Sequence, residues 1–350
     1  MRLQEVHLAQ GAQLAADGIP LHYGDIPAEY HAALDTAVLM DRSHEGRLTV
    51  TGADAFNIMH RISTNDLLNM AQGEGRPTLF LNPNARILDR AAVYQRGETA
   101  LVITEVGRGE ALCLYLQRNI FFNDKARVED ITPVTHLFAL HGVEADGVVT
   151  ALCGSVPEHG SELSLADTPV FMGRRSPLIG SQWVFVTAQE HAAEVWNAIL
   201  LAGKPLGLRP AGSLTYNALR IRAGRPAAGR ELTSDYIPLE LGLWDEVNFH
   251  KGCYTGQEII ARMESRNRLA RTSVMLELTA FVQAPAELTL DGSAVGTLTS
   301  SVTTPDGEHL GIGVVKLQAA QPRIQYNIGA VKATVKALAG VQPAQLMPQD

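Results

Sequence analysis

The sequence predicts an α+β fold with a small β-barrel at its carboxy-terminal end. Two observations carry this. Amphipathic helices and short strands alternate irregularly through the first 270 or so residues, which suggests antiparallel sheets with helices packed on them. After Arg271 the pattern changes to short strands separated by Gly, Asp and Pro, the spacing of a small barrel or sandwich. At 350 residues and 46% hydrophobic, the chain has material for about two to three domains.

Apolar residues at Tyr30, Ala33, Leu34, Val38 and Leu39 recur at helical spacing and predict a helix over residues 27–40. A short strand, 47–50, then meets a turn at Thr51-Gly52, and 53–62 reads as a second helix. Residues 78–81 form a strand running into the turn Asn82-Pro83-Asn84, with 87–94 as its hairpin partner. A strand at 101–104 and a helix at 109–119 follow. The segments 136–140, 169–172 and 183–186 read as strands, and 192–201 as a helix stopped by Gly203. A further helix, 214–223, ends at Gly224. Barrel strands are expected at 273–278, 287–290, 294–298, 311–315 and 330–335, with a frayed tail from Val341.

Composition excludes several classes of protein. No apolar run approaches the roughly 18 residues of a membrane span, and the amino terminus lacks the basic start and apolar block of a signal peptide. The three cysteines, Cys113, Cys153 and Cys253, are far apart, so no disulfide framework or metal-ligand spacing is present. A reducing, cytoplasmic setting and no metal site are expected. The net charge of -8 argues against nucleic acid as a direct partner. No G-x-G-x-x-G turn or Walker-type loop occurs, so a nicotinamide or flavin domain is unsupported.

The densest chemistry lies in Lys251-Gly252-Cys253-Tyr254-Thr255-Gly256-Gln257-Glu258. Here a cation two residues from Cys253 and a helix starting near Thr255 or Gly256 both favour a thiolate. Tyr254, Gln257 and Glu258 have a plainer alternative, packing and helix capping. Downstream, Arg262, Arg266, Arg268 and Arg271 form an anion-attracting rim that suits a carboxylate tail or a phosphate backbone equally. Glu240 sits inside the apolar run 237–243, where an unpaired carboxylate is costly. Asp89 follows the turn at 82–84, with Arg90 beside it.

The octapeptide resembles the signature of the YgfZ family, folate-binding proteins of iron–sulfur cluster maturation that are related to the glycine-cleavage T-protein. The similarity extends to Asp41-Arg42-Ser43-His44, Asn65-Asp66-Leu67, the helix end Leu219–Gly224, where Arg222 replaces an acid, and Val295–Ser300. It implies two related α+β lobes around a central folate cavity, capped by the barrel. On that arrangement residues 1–135, completed by 205–270, make one lobe, 136–204 the second, and 271–340 the barrel. The resemblance also implies tetrahydrofolate or a derivative as ligand, with its pteridine held by Glu240 near Asp89 and its glutamyl end by the stretch containing Arg262 and Arg271. Cys253, Asp89, Lys251 and Tyr254 become candidates for chemistry. Iron–sulfur client or assembly proteins become the expected partners of a monomeric chain, with indirect effects on cluster-dependent tRNA modification. Where the T-protein has two neighbouring aspartates, this chain has Asp89-Arg90. That change weighs against the rival reading, aminomethyl transfer. A folate-binding scaffold without chemistry is the third reading.

Overall fold

A computed structural model describes residues 2–266 and 269–342, with the side chain of residue 266 excepted. The chain divides into two compact units: residues 1–60, 66–77 and 91–216 form the first, and residues 61–65, 78–90 and 217–350 the second.

The first unit is built on a six-stranded sheet in the order Ser161–Leu165, Thr168–Arg174, Ser181–Ala188, Thr135–Gly142, Ala37–Asp41 and Arg209–Pro210. All neighbours are antiparallel except the last pair. Its central strand Ser181–Ala188 is buried on both faces. Trp183 and Phe185 enter a core with Val148 and Val149 of the helix Ala145–Cys153 and Trp196 and Ile199 of the helix Ala192–Gly203. Val184 and Val186 point the opposite way, as strand periodicity requires, and join Leu101, Ile103 and Tyr94 of a second sheet. That sheet runs Gly75–Leu81, Ile87–Arg96, Thr99–Val106, Glu45–Thr51, Arg127–Asp130. The helix Gly109–Arg118 packs on its last strands.

The second unit contains a closed six-stranded barrel, in the order Arg271–Leu278, His309–Lys316, Ser293–Thr303, Ala286–Leu290, Gln325–Ile328 and Val331–Leu338. Leu276, Leu288, Leu298, Tyr326 and Val335 fill it. Another cluster unites Leu79, Leu81 and Ile87 with Leu239, Leu241, Tyr254 and Ile260.

The α+β class and the barrel are as expected, and most elements fall where periodicity placed them. One exception is the helix expected over 27–40. The helix ends at Asp35, and Ala37–Asp41 is a fully buried strand. A continuous apolar run does not distinguish the two by period. The barrel strand Gln325–Ile328 was not expected, and Val341 is not frayed, since its N–H donates to the Gly242 carbonyl at 2.8 Å. The tail from residue 343 lies outside the described residues.

The first unit holds unusual buried charge. Glu45 accepts from Arg42 Nε and Nη2, each at 2.8 Å, and from Arg175 Nη1 at 2.6 Å; all three side chains are almost wholly enclosed. Burial works to raise the Glu45 pKa, but Arg175 and Arg42 outweigh it and hold the carboxylate below its ordinary range. A depressed carboxylate pKa stabilises the fold above the unfolded-state pKa and ceases to do so as pH falls through the folded value. Glu45→Gln is therefore expected to lower unfolding free energy by about 3–5 kcal/mol at pH 7. The gap from the wild type should narrow below about pH 4, as read from urea unfolding at a series of pH values.

Candidate functional site

The residues singled out by sequence fall in the second unit, and the structure separates those that hold the loop from those that are free. The octapeptide loop precedes the helix Gln257–Arg266. Lys251 Nζ donates to the Ser63 carbonyl at 2.7 Å and the Asn65 carbonyl at 2.9 Å, and its ammonium lies 5.3 Å from the Tyr254 ring centroid. Asn248 Oδ1 accepts the N–H groups of His250 and Lys251. Tyr254 is buried among Leu239, Leu241 and Ile260, and desolvation pushes its phenol up to about 12. It remains protonated at neutral pH. Gln257 Nε2 reaches back to the Lys251 carbonyl at 3.4 Å.

Gly256 has φ +83°, and a Cβ there would stand 2.9 Å from both the Asn82 carbonyl oxygen and Ala85 Cα. Only glycine fits. Gly252 is different, since a Cβ there would meet nothing within 4 Å. Cys253 is exposed, four residues ahead of the helix. Lys251 was expected to favour the thiolate, but its ammonium is committed to main-chain carbonyls of 63 and 65.

Glu240 belongs to the 3-10 turn Pro238–Leu241, where its Oε2 accepts the Ile237 N–H at 3.1 Å, closing the turn from within. The same carboxylate accepts from Arg271 Nε at 3.1 Å and Nη2 at 3.2 Å, and Arg86 Nη1 stands 3.5 Å away. Arg271 also lies over the Tyr236 ring, 5.0 Å from its centroid. Glu240 is buried, yet Arg86 and Arg271 are each about a third exposed (36% and 35%), so two cations share one acid with their outer faces in solvent. Glu240 and Arg271 were expected at opposite ends of a folate. They bond each other.

Asp89 is buried on the strand Ile87–Arg96, its Oδ1 accepting the Arg90 N–H at 3.0 Å. Arg90 does not simply neutralise it. Its Nε and Nη2 grip Glu246 at 2.7 and 2.5 Å, a buried two-pronged pair. Glu246 had no motif to mark it, and neither did Glu231. Glu231 is fully buried and accepts the hydroxyls of Thr299 at 2.6 Å and Ser300 at 2.7 Å. The Val295–Ser300 resemblance thus rests partly on two hydroxyls that hold an acid. Arg262 forms a surface pair with Glu258 at 2.5 Å. Arg268 and the side chain of Arg266 lie outside the described residues. Among the described residues no three His, Cys, Asp or Glu side chains are grouped to hold a metal, and no helix is long and apolar enough to cross a membrane.

Paired α+β sheets followed by a closed barrel describe the T-protein architecture. A crystal structure of the glycine cleavage system aminomethyltransferase T from Bartonella henselae has this fold, with a TM-score of 0.80 over 98% of this chain and 96% of that one at 21% identity. The chain belongs to the GCVT N-terminal domain family, which it matches over residues 3–251. A chloroplastic Arabidopsis thaliana protein bearing the name of a transferase is 31% identical over 89% of this chain and 72% of that protein. The aminomethyltransferase of Shouchella clausii is 28% identical over 91% of this chain and 90% of its own length.

Exposure orders the thiols. Cys253 is exposed, Cys153 is half-buried, and Cys113 is buried with its thiol pKa raised by burial and by Asp130. Brief iodoacetamide treatment of the native protein, read by peptide mass spectrometry, is expected to label Cys253 roughly tenfold or more faster than Cys113.

Proposed function

We propose that this chain binds a reduced folate and supports iron–sulfur cluster assembly or repair, as the YgfZ-like octapeptide suggests, and thereby supports cluster-dependent tRNA modification. The observation that carries the reading is Cys253, exposed on a loop whose neighbours Lys251, Tyr254 and Gly256 are all anchored. Such a thiol can meet a partner without disturbing the fold. Since clusters take four Cys-type ligands, Cys253 would serve as a transient ligand or nucleophile beside thiolates of a client protein.

Folate binding is supported by family membership and by the chemistry of the second unit. A pterin edge offers N–H groups to a carboxylate, and Asp89 is a buried acid on a rigid strand. The glutamyl carboxylates suit Arg86 and Arg271, which carry one positive charge more than Glu240 balances. Arg262, at the surface, would meet the far end of a longer glutamyl tail.

The names of the relatives favour a second reading, aminomethyl transfer. Against it, the position of the second T-protein acid is held by Arg90, fixed by Glu246 in a buried pair.

Calorimetric titration with tetrahydrofolate is expected to show binding that weakens roughly tenfold in Asp89→Asn and in Arg271→Ala, about 1.4 kcal/mol each. Heat changes absent from the wild type would remove the folate reading. In cells lacking the protein, Cys253→Ala is expected to fail in restoring a cluster-dependent tRNA-modifying enzyme while still binding folate. Full restoration by Cys253→Ala would favour a scaffold. Turnover of lipoylated carrier, ammonia and methylenetetrahydrofolate by the purified chain would favour the transferase.

A further inference from the structure

A cavity of about 240 Å³ opens in the first unit, with Ser43, His44 and His136 on its wall, Gln4 and Gln189 at its mouth, and Arg47 beneath. It contains no residue named above for folate. Its volume is that of about eight waters, enough for a small organic molecule.

Hydrogen bonds in the wall fix what the pocket offers. Ser43 Oγ accepts the Leu137 N–H at 3.1 Å, and the Ser43 N–H is held by Asp41 at 2.9 Å. Ser43 Oγ also shares a hydrogen bond of 2.8 Å with His136 Nδ1, whose direction follows the His136 tautomer, and has the Leu137 carbonyl 3.4 Å away. A neutral imidazole that accepts at Nδ1 carries its proton on Nε2. Burial, with Arg47 and His7, holds the His136 pKa below its ordinary value against the pull of Asp41, so the neutral form prevails. Among the described residues His136 Nε2 has no protein partner, and neither does the His44 ring, whose pKa burial and Arg42 bring down to about 4.

The lining holds two acids, Asp17 and Asp41, and one guanidinium. Asp41 is bonded through one oxygen to His7 Nε2 at 3.1 Å and through the other to the Ser43 N–H. Arg47 is buried and donates all five N–H groups to the Ser43, Glu45, Thr132 and Thr135 carbonyls and the Thr135 hydroxyl. It cannot bond a ligand, yet its positive field faces the pocket floor. Asp17, the other acid of the lining, is exposed. An acceptor would find two imidazoles and two carboxamides.

We propose that this cavity binds a small organic carboxylate, received by His136 Nε2–H and the carboxamide of Gln189. The site stands apart from the folate reading and would survive its failure.

The test uses the full chain with histidine side chains labelled with nitrogen-15, titrated with formate, acetate and benzoate, and with benzamide as the neutral counterpart. Long-range proton–nitrogen spectra first report the His136 tautomer, expected to be protonated at Nε2. At least one carboxylate is expected to shift the His136 resonances saturably. In His136→Phe, which retains a flat ring against Phe138, and in Gln189→Leu, affinity is expected to fall roughly tenfold, the size of one charge-assisted hydrogen bond. Ser43→Ala, which frees the tautomer, serves if His136→Phe does not fold. No shift with any of the three carboxylates, equal binding of benzamide and benzoate, or undiminished affinity in the variants would each overturn the proposal.

Discussion

The backbone of the Asn82–Ala85 turn approaches Gly256 so closely that no side chain fits between them. Much of the second unit follows from that contact. It fixes where the octapeptide meets the strand carrying Asp89, and it forces the left-handed turn that releases the chain into the helix Gln257–Arg266. Lys251 secures the other end of the loop on the carbonyls of residues 63 and 65, and Tyr254 sinks its ring into the apolar cluster between them. Most of a motif rich in reactive groups thus does ordinary structural chemistry, and Cys253 is left at the surface.

Buried charge is handled in several ways. Arg90 and Glu246 form a buried two-pronged pair. Glu45 and Glu240 each face two guanidiniums, enclosed around Glu45 and half open around Glu240. Arg47 forms no salt bridge among the described residues, and carbonyls and a hydroxyl take its N–H groups. Desolvation makes such arrangements poor sources of net stability compared with apolar packing. They do set directions, since a guanidinium gripped by one acid cannot swing to another. Arg90, next to Asp89 in sequence, is held in this way by Glu246, 156 positions away.

Much of the architecture was legible in the sequence. Helices such as 109–118 and 192–203 show a clear period, and the barrel strands are punctuated by Gly, Asp and Pro. Ala37–Asp41 was misread because a strand buried on both faces has no alternation to betray it. In the site, residue types pointed to the right neighbourhood but not to the right partners. Glu240, Arg271, Asp89 and Arg90 were all visible. The Glu240–Arg271 and Arg90–Glu246 bonds join residues 31 and 156 positions apart, and no local pattern encodes them. Glu231 and the Ser43–His136 pair were hidden for the same reason.

The atoms that anchor the loop are the Lys251 ammonium, the Tyr254 ring and the Gly256 backbone, while the exposed sulfur of residue 253 makes no hydrogen bond or ion pair among the described residues. Oxidation, acylation or capture by a metal centre at that atom would leave the apolar cluster beneath intact, and the thiol can be regenerated in place without the protein having to come apart.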